Sequence, residues 1–385
     1  METQNLNTWL EISESAYAAN LDFFKKRLPP NTEFSVVVKA NAYGHGVNQI
    51  VPLALRHGAD SFCVHSLEEA LQLRERGVQK DILVMGHIPL GQLKKAVEQN
   101  LRIAIFNIEA LKTLNEITQS LQKPVRVHLK LETGTYRQGI VPEILPDFLK
   151  ELGNCGLIKL DGAYTHFANI EDTTDHSYAM MQLKRFNDLA DRIEKSGFSG
   201  FQRHCACSAA ILLFPETFFD MVRLGISQYG LWPSRETFVS YKTRHTQNGE
   251  EVLKPVLTWK TRIGQLKDVP AHQPIGYGGT FHTTRPSRLA ILPIGYADGY
   301  DRHLSNQGHV LIHGRRAPIR GRVCMNMTIV DVTDIPQAQY DDEVVLLGRQ
   351  GSEKISAEML AGWCGTINYE FVTRISPLIP RFVVE

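Results

Sequence analysis

The stretch Phe34-Ser-Val-Val-Val-Lys-Ala-Asn-Ala-Tyr-Gly-His-Gly46 decides how the rest of the chain is read. Phe34 to Val38 are uncharged and rich in β-branched side chains, and small, turn-forming residues follow, which predicts a short buried strand. Lys39 interrupts the run at the strand's carboxyl end, and Gly44 and Gly46 permit a tight turn into the next segment. A lysine held against an apolar wall loses its proton more readily, which suits it to act as a Schiff-base nucleophile. The plainer reading is a strand-end lysine whose ammonium reaches water along its aliphatic stem. The surrounding pattern has to choose between them.

Working outward, apolar segments of strand length recur at 34–38, 61–64, 82–85, 103–106, 126–130, 160–164, 203–206 and 222–226. Amphipathic helical segments separate them. Tyr17, Leu21, Phe24 and Leu28 share one helical face ahead of the first strand, and Pro29-Pro30 ends that helix. Ser66-Leu-Glu-Glu69 reads as a capping box with Gly77 as the matching stop. An unbroken strand–helix series of this length predicts an α/β fold, a (β/α)8 TIM barrel rather than an open doubly wound sheet. The polar stretch from Ser234 to Glu251 breaks the alternation. Beyond it, strands are predicted at 256–263, 289–294, 309–312, 328–332 and 344–347, with one short helix at 356–362. The expected organisation is a barrel over residues 1–240 and a C-terminal, mostly-β domain over 241–385.

Composition narrows the function. The 385 residues are 43% hydrophobic and 22% charged, ordinary for a soluble globular protein. Their 42 basic and 41 acidic side chains leave a net charge of +1, no electrostatic reason to expect nucleic acid or an anionic membrane as partner. The start, Met-Glu-Thr-Gln-Asn-Leu-Asn, lacks the basic and apolar regions of a signal peptide, and no apolar run reaches membrane-spanning length. Cysteines 63, 155, 205, 207, 324 and 364 are scattered, so reduced thiols in a cytoplasmic protein are expected. His204-Cys205-Ala-Cys207 matches no common zinc spacing, and no metal is expected.

In such barrels the chemistry sits at the carboxyl ends of the strands. Lys39 follows the first strand, Lys130 and Arg137 the fifth, His166 the sixth, Ser208 the seventh, and Arg223 with Gly225 ends the eighth. Taken singly, each reads best as a surface ion pair or a cap. Together they share one rim. Ser208, Gly225 and Ile226 suit a phosphate, since a hydroxyl and backbone N–H groups near a helix start hold an anion; Ser208 as a plain helix cap is the alternative. A lysine beside a phosphate site inside a barrel points to pyridoxal 5'-phosphate.

These motifs resemble those of the alanine racemases, the fold-type III pyridoxal phosphate enzymes. The likeness covers Val38-Lys-Ala-Asn-Ala-Tyr-Gly-His-Gly46, Thr165-His-Phe-Ala168, Val222-Arg-Leu-Gly-Ile226, Ile294-Gly-Tyr-Ala-Asp-Gly299, Gly321-Arg-Val-Cys-Met325 and Gly365-Thr-Ile-Asn-Tyr-Glu370, in the family's order. The resemblance implies racemisation of alanine by two bases, supplying D-alanine for the cell wall. Lys39 would carry the cofactor and act on one face of Cα; Tyr277 would act on the other, with Tyr296, in the second Pro-Ile-Gly-Tyr copy, as a rival. It pairs Tyr277 with a hydrogen-bonded chain of His166 and Arg223, and sets Arg223 on the cofactor's pyridine nitrogen. Arg137 is implied as partner of the phenolic oxygen and the substrate carboxylate, oriented by Lys130, which family members often carry as a carbamate. Tyr43 and Tyr369 match tyrosines near the cofactor phosphate, and Met325 a residue whose backbone N–H meets the substrate carboxylate. Tyr277 and Met325 are implied to reach the other subunit's cofactor, hence a homodimer.

Cys207 stands where the family pattern has asparagine, Asn326 and Glu132 where it has aspartate, and Thr135-Tyr136 replace a methionine-containing pair. The alternatives are a racemase of other or several amino acids on the same scaffold, a related decarboxylase, and a non-catalytic pyridoxal phosphate carrier.

Overall fold

The computed structural model describes residues 3–245 and 251–385. Parallel strands Glu33–Val37, Ser61–Val64, Asp81–Val84, Arg102–Ile105, Val125–Lys130, Ile158–Tyr164, Gln202–His204 and Met221–Leu224 form an eight-stranded sheet in sequential order. The sheet curls until the first strand pairs with the last, Phe34 opposite Val222. The seventh and eighth strands meet through Asp220 N–H to Arg203 O (3.1 Å) and Arg223 N–H to Ala206 O (3.0 Å). The barrel is nearly closed.

The strand period of two separates two environments. Phe34, Val36, Phe62, Val64, Val127 and Leu129 are buried in the apolar core. The alternate positions, Glu33, Ser35, Arg102, His128, Lys130 and Arg223 among them, carry polar side chains. Most barrels fill this interior with branched apolar residues. This one holds a polar column.

Helix ends follow the local chemistry. Ser13 caps Glu14–Lys25, which stops ahead of Pro29 and buries Tyr17, Leu21 and Phe24. Ser66 and Glu69 form the capping box of Leu67–Glu75, and Gly77 turns the chain at φ +80°.

A second, seven-stranded sheet runs Arg315–Pro318, His309–Ile312, Glu343–Gln350, Leu257–Arg262, Thr8–Ser13, Arg381–Val384, with Glu353–Ile355 alongside. Gln265–Val269, Ser287–Leu292 and Thr328–Asp331 make a smaller sheet. Sequence reading finds no strand before residue 34, yet Thr8–Ser13 lies antiparallel to Leu257–Arg262 and parallel to Arg381–Val384. Only partners from the other end of the chain make that segment a strand. The polar break holds a helix, Arg235–His245; positions 246–250 of it lie outside the described residues. Among the described residues no helix is long and apolar enough to cross a membrane.

Candidate active site at the carboxyl rim of the barrel

Lys39 leaves the first barrel strand and enters a turn of the wrong hand. Ala40, Asn41, Ala42 and Tyr43 have φ of 53°, 53°, 52° and 53°. Left-handed helical backbone costs an L-residue about 1–2 kcal/mol, so four in a row need holding from outside. Glu69, beyond its capping role, accepts the Ala40 N–H at 2.6 Å. Asn41 Oδ1 accepts the Val47 N–H at 2.9 Å. From the second sheet, Arg381 donates to Gly44 O at 2.9 Å. A Cβ at Gly44 would sit 1.9 Å from Val372 O, so only glycine lets the two parts close there. Barrel and β domain together fix the path of Lys39.

That path leads to a cleft of about 740 Å³ lined by Lys39, Tyr43, Lys130, Arg137, His166, Ser208, Arg223, Gly225, Ile226 and Tyr369. Burial, then the Arg137 charge, lowers the Lys39 pKa, with Glu69 opposing. Lys130 is pushed down to about 8 by burial, then by Arg137 and Arg223. Its Nζ donates to Gln138 Oε1 at 2.9 Å. Burial, then the Arg223 and Arg137 charges, lowers His166 to about 3, so its imidazole is neutral at pH 7.

Arg223 is 4% exposed. Its Nη1 donates to His204 Nδ1 (2.5 Å) and His204 O (3.2 Å). Its Nη2 donates to Thr165 O (2.8 Å) and Cys205 O (3.3 Å). Four N–H groups face protein acceptors, which leaves Nε–H for the cleft. The imidazole bonded to Arg223 is therefore His204 and not His166, because His204 shares the interior face of the neighbouring strand. Tyr164 stacks on His204 (4.8 Å between ring centres, 8° between planes), its ring centre 5.7 Å from Lys130 Nζ and 5.1 Å from Arg223 Cζ.

At the other end of the cleft, Ser208 Oγ accepts from Gly225 N–H (3.0 Å) and Ser227 N–H (3.3 Å). A Cβ at Gly225 would stand 3.3 Å from the Tyr43 hydroxyl and 3.5 Å from Ser208 Oγ. Two hydroxyls and the start of the Ile226–Tyr229 turn thus crowd one point. Tyr369 Oη donates to Glu171 Oε1 at 3.2 Å, and burial raises the Glu171 carboxyl.

Two of the residues that depart from the family pattern, Glu132 and Thr135, have structural partners. Glu132 Oε1 accepts the Gly134 and Thr135 N–H groups (2.6 and 2.7 Å), and Thr135 Oγ1 donates to His166 O at 2.6 Å, which ties the loop of Arg137 to the sixth strand. Cys207 lines the cleft, and Asn326 is exposed on the β domain. Tyr277 and Met325 do not line it: they are 71% and 56% exposed. Sequence reading missed Tyr164, Glu171 and His204. Tyr164 and His204 end strands at inward positions, a signal that alternation alone offered. Among the described residues no cluster of three His, Cys, Asp or Glu side chains is placed to hold a metal ion.

Residues 12–233 match the family model for the alanine racemase N-terminal domain, and 256–383 that for the alanine racemase C-terminal domain. The chain is 42% identical over 381 residues to an alanine racemase of Leptospira interrogans, covering 98% of this chain and 96% of that one. It is 38% identical over 378 residues to one of Methanococcus maripaludis, covering 98% of each. A crystal structure of alanine racemase from Bacillus anthracis with bound L-Ala-P superposes with a TM-score of 0.90 at 34% identity, over 98% of this chain and 95% of that one. One from Bartonella henselae with covalently bound pyridoxal phosphate gives 0.85 at 28% identity, over 98% and 99%. Barrel and β domain agree with these matches along nearly the whole chain, which belongs to the alanine racemase family.

Proposed function

We propose that this protein is an isomerase that interconverts L- and D-alanine, with pyridoxal 5'-phosphate as its cofactor. The observation that carries the reading is the convergence of the Lys39 amine, its pKa lowered, with the Ser208–Gly225 anion corner and the leftover Arg223 Nε–H in one cleft.

The donor set suits that group. Lys39 supplies the amine for its aldehyde. Ser208, Tyr43 and the Ile226 amide suit its phosphate, with the Gly225 N–H, which Ser208 Oγ accepts in this structure, beside them; Arg223 Nε–H suits its ring nitrogen, and Arg137 its phenolic oxygen together with the substrate carboxylate. Tyr369 closes the space beside the substrate methyl. When bound, the cofactor draws electrons from Cα and makes its proton acidic.

Inversion requires proton removal on one face of Cα and return on the other, so two bases are needed. Lys39 is assigned to one face. The second base is Tyr277, and its exposure on the β domain fits delivery to a second copy's cleft in a homodimer, with Met325 alongside. A guanidinium is a donor only, so Arg223 offers a hydrogen bond to the ring without giving up its proton. Neutral His166 adds no charge beside the reacting centre. Lys130, with its pKa at about 8, keeps a neutral amine fraction near physiological pH, the form that takes up carbon dioxide as a carbamate and so orients Arg137. The reading places the reaction in the cytoplasm.

Chiral chromatography of L-alanine incubated with cofactor-loaded protein, beside L-serine, L-lysine and L-arginine, tests this. Rapid approach to equal D- and L-alanine, with the others slow, is expected. Faster turnover of another amino acid keeps the mechanism and changes the substrate; no racemisation of any rejects the function. Tyr277→Phe is expected to retain the cofactor and lose racemisation.

A further inference from the structure

A polar chain runs down the barrel away from the cleft. Arg223 donates to His204 Nδ1. His204 Nε2 lies 2.9 Å from His128 Nδ1, and His128 Nε2 faces Asp161 Oδ2 at 3.5 Å. His128 and His204 are fully buried; the 3.5 Å contact is long, neither His128 Nε2 nor Asp161 Oδ2 makes a hydrogen bond of good geometry elsewhere, and Arg102 Nε lies 3.0 Å from the same carboxylate oxygen.

The local backbone is shaped for this contact. Val127 pairs with Leu160 but His128 with Gly162, so Asp161 is the extra residue of a β-bulge in the sixth strand. A Cβ at position 162 would sit 2.3 Å from His128 Nδ1, the atom that faces His204. The bulge turns Asp161 toward the interior, and Gly162 clears the space for the imidazole.

Proton inventory then sets one direction. Arginine can only donate, so His204 Nδ1 accepts and its proton sits on Nε2. That proton goes to His128 Nδ1, which puts the His128 proton on Nε2, aimed at a carboxylate that accepts. Any other arrangement sets two donors or two acceptors face to face. Burial, then the Arg223 charge, holds His204 well below the usual imidazole range; burial likewise lowers His128, with Asp161 opposing. Both rings are neutral.

We propose that Asp161 is a positioning residue which, through His128 and His204, locks the Nη1 edge of Arg223 and so aims its Nε–H into the cleft. The carboxylate belongs to the barrel floor, where Arg102 Nε lies 3.0 Å from it. Its effect is read at the rim. The lock is a property of the protein alone; its consequence for the cofactor ring rests on the function proposed above.

The test uses protein with ¹⁵N-labelled histidine, without cofactor, and long-range ¹H–¹⁵N spectra that report each ring's tautomer. Nε2–H tautomers at both His128 and His204 are expected in the wild type. In Asp161→Asn the acceptor charge is gone, and mixed tautomers are expected. Pyridoxal phosphate affinity and kcat should each fall about tenfold with little change in KM, the scale of coupling such networks carry. Glu33→Gln is the control: it removes another carboxylate from Arg102 (2.7 Å) without touching His128, so it should lower stability and keep native tautomers and kcat. An Nδ1–H tautomer of His204 in the wild type overturns the proposal without any variant. So do native tautomers, affinity and kcat in Asp161→Asn. A wild type that shows the expected tautomers yet binds no pyridoxal phosphate rejects the function and leaves the lock standing.

Discussion

At the floor of the barrel Arg102 meets three carboxylates, Glu33 (2.7 Å), Asp81 (2.7 Å) and Asp161 (3.0 Å), with Arg126 bound to Asp81 as well. At the rim four cations, Lys39, Lys130, Arg137 and Arg223, share one cleft. Lys130 and Arg223 hydrogen-bond to neutral partners, and nearby Glu69 and Glu132 are engaged with backbone amides. The floor pairs its charges with one another, two arginines against three carboxylates. At the rim, burial and then the neighbouring cations lower the lysines, and the clustered cations favour an anionic ligand. One barrel uses the same residue types for opposite ends.

The largest effect that would break this contrast is at Lys39. Lys39→Ala should lower kcat for alanine racemisation by about 10⁴-fold or more, since it removes both the attachment point and one base. Intact mass after borohydride reduction with pyridoxal phosphate should show no adduct. Retained adduct at another lysine would reassign the rim.

On the floor, Arg102→Met takes the nearest cation from the largely buried Glu33 and Asp161, while Arg126 stays with the more exposed Asp81. Breaking a buried ion network from one side costs about 3–5 kcal/mol, to be read from urea unfolding. A loss below about 1 kcal/mol would mean that water already screens the floor.

Lys130 sharpens the contrast with the opposite sign. Unfolded lysine protonates near pH 10.4, whereas folded Lys130 does so at about 8, so the unfolded state binds more protons between these values and stability rises with pH across that window. Lys130→Met should therefore stabilise cofactor-free protein in CO2-free buffer at pH 7, by up to about 3 kcal/mol. The gain should shrink above pH 8 and vanish above about 10.4. A constant difference across that range would show that charge is not its source.

His166 should produce the smallest signal. With its pKa at about 3, its ring resonances should not titrate between pH 5 and 8. An inflection near 6.5 would show that neither burial nor the rim cations keep a proton off that ring.

Local pattern carried far into this protein. The barrel strands other than the seventh, Gln202–His204, which is polar throughout, are visible as short runs with apolar residues between helices, because each buries one face against helices that adjoin it in sequence. Lys39, Lys130, His166 and Arg223 are visible as polar residues where those runs end. The capping box of Ser66 and Glu69 needs only a span of four residues, and it formed as read. What stayed hidden depends on partners distant in sequence. Thr8–Ser13 is a strand only because Leu257–Arg262 lies beside it.

By itself, then, the sequence determined the barrel, the following β domain and the residues at the rim, since periodicity and strand ends are written in neighbouring positions. Tertiary structure decided the left-handed turn after Lys39, which Glu69 and Arg381 hold against its own strain. It also decided the bulge that turns Asp161 inward and the His128–His204 contact that gives Arg223 its direction. Backbone of unfavourable hand and buried imidazoles of fixed tautomer exist only where atoms from remote segments surround them.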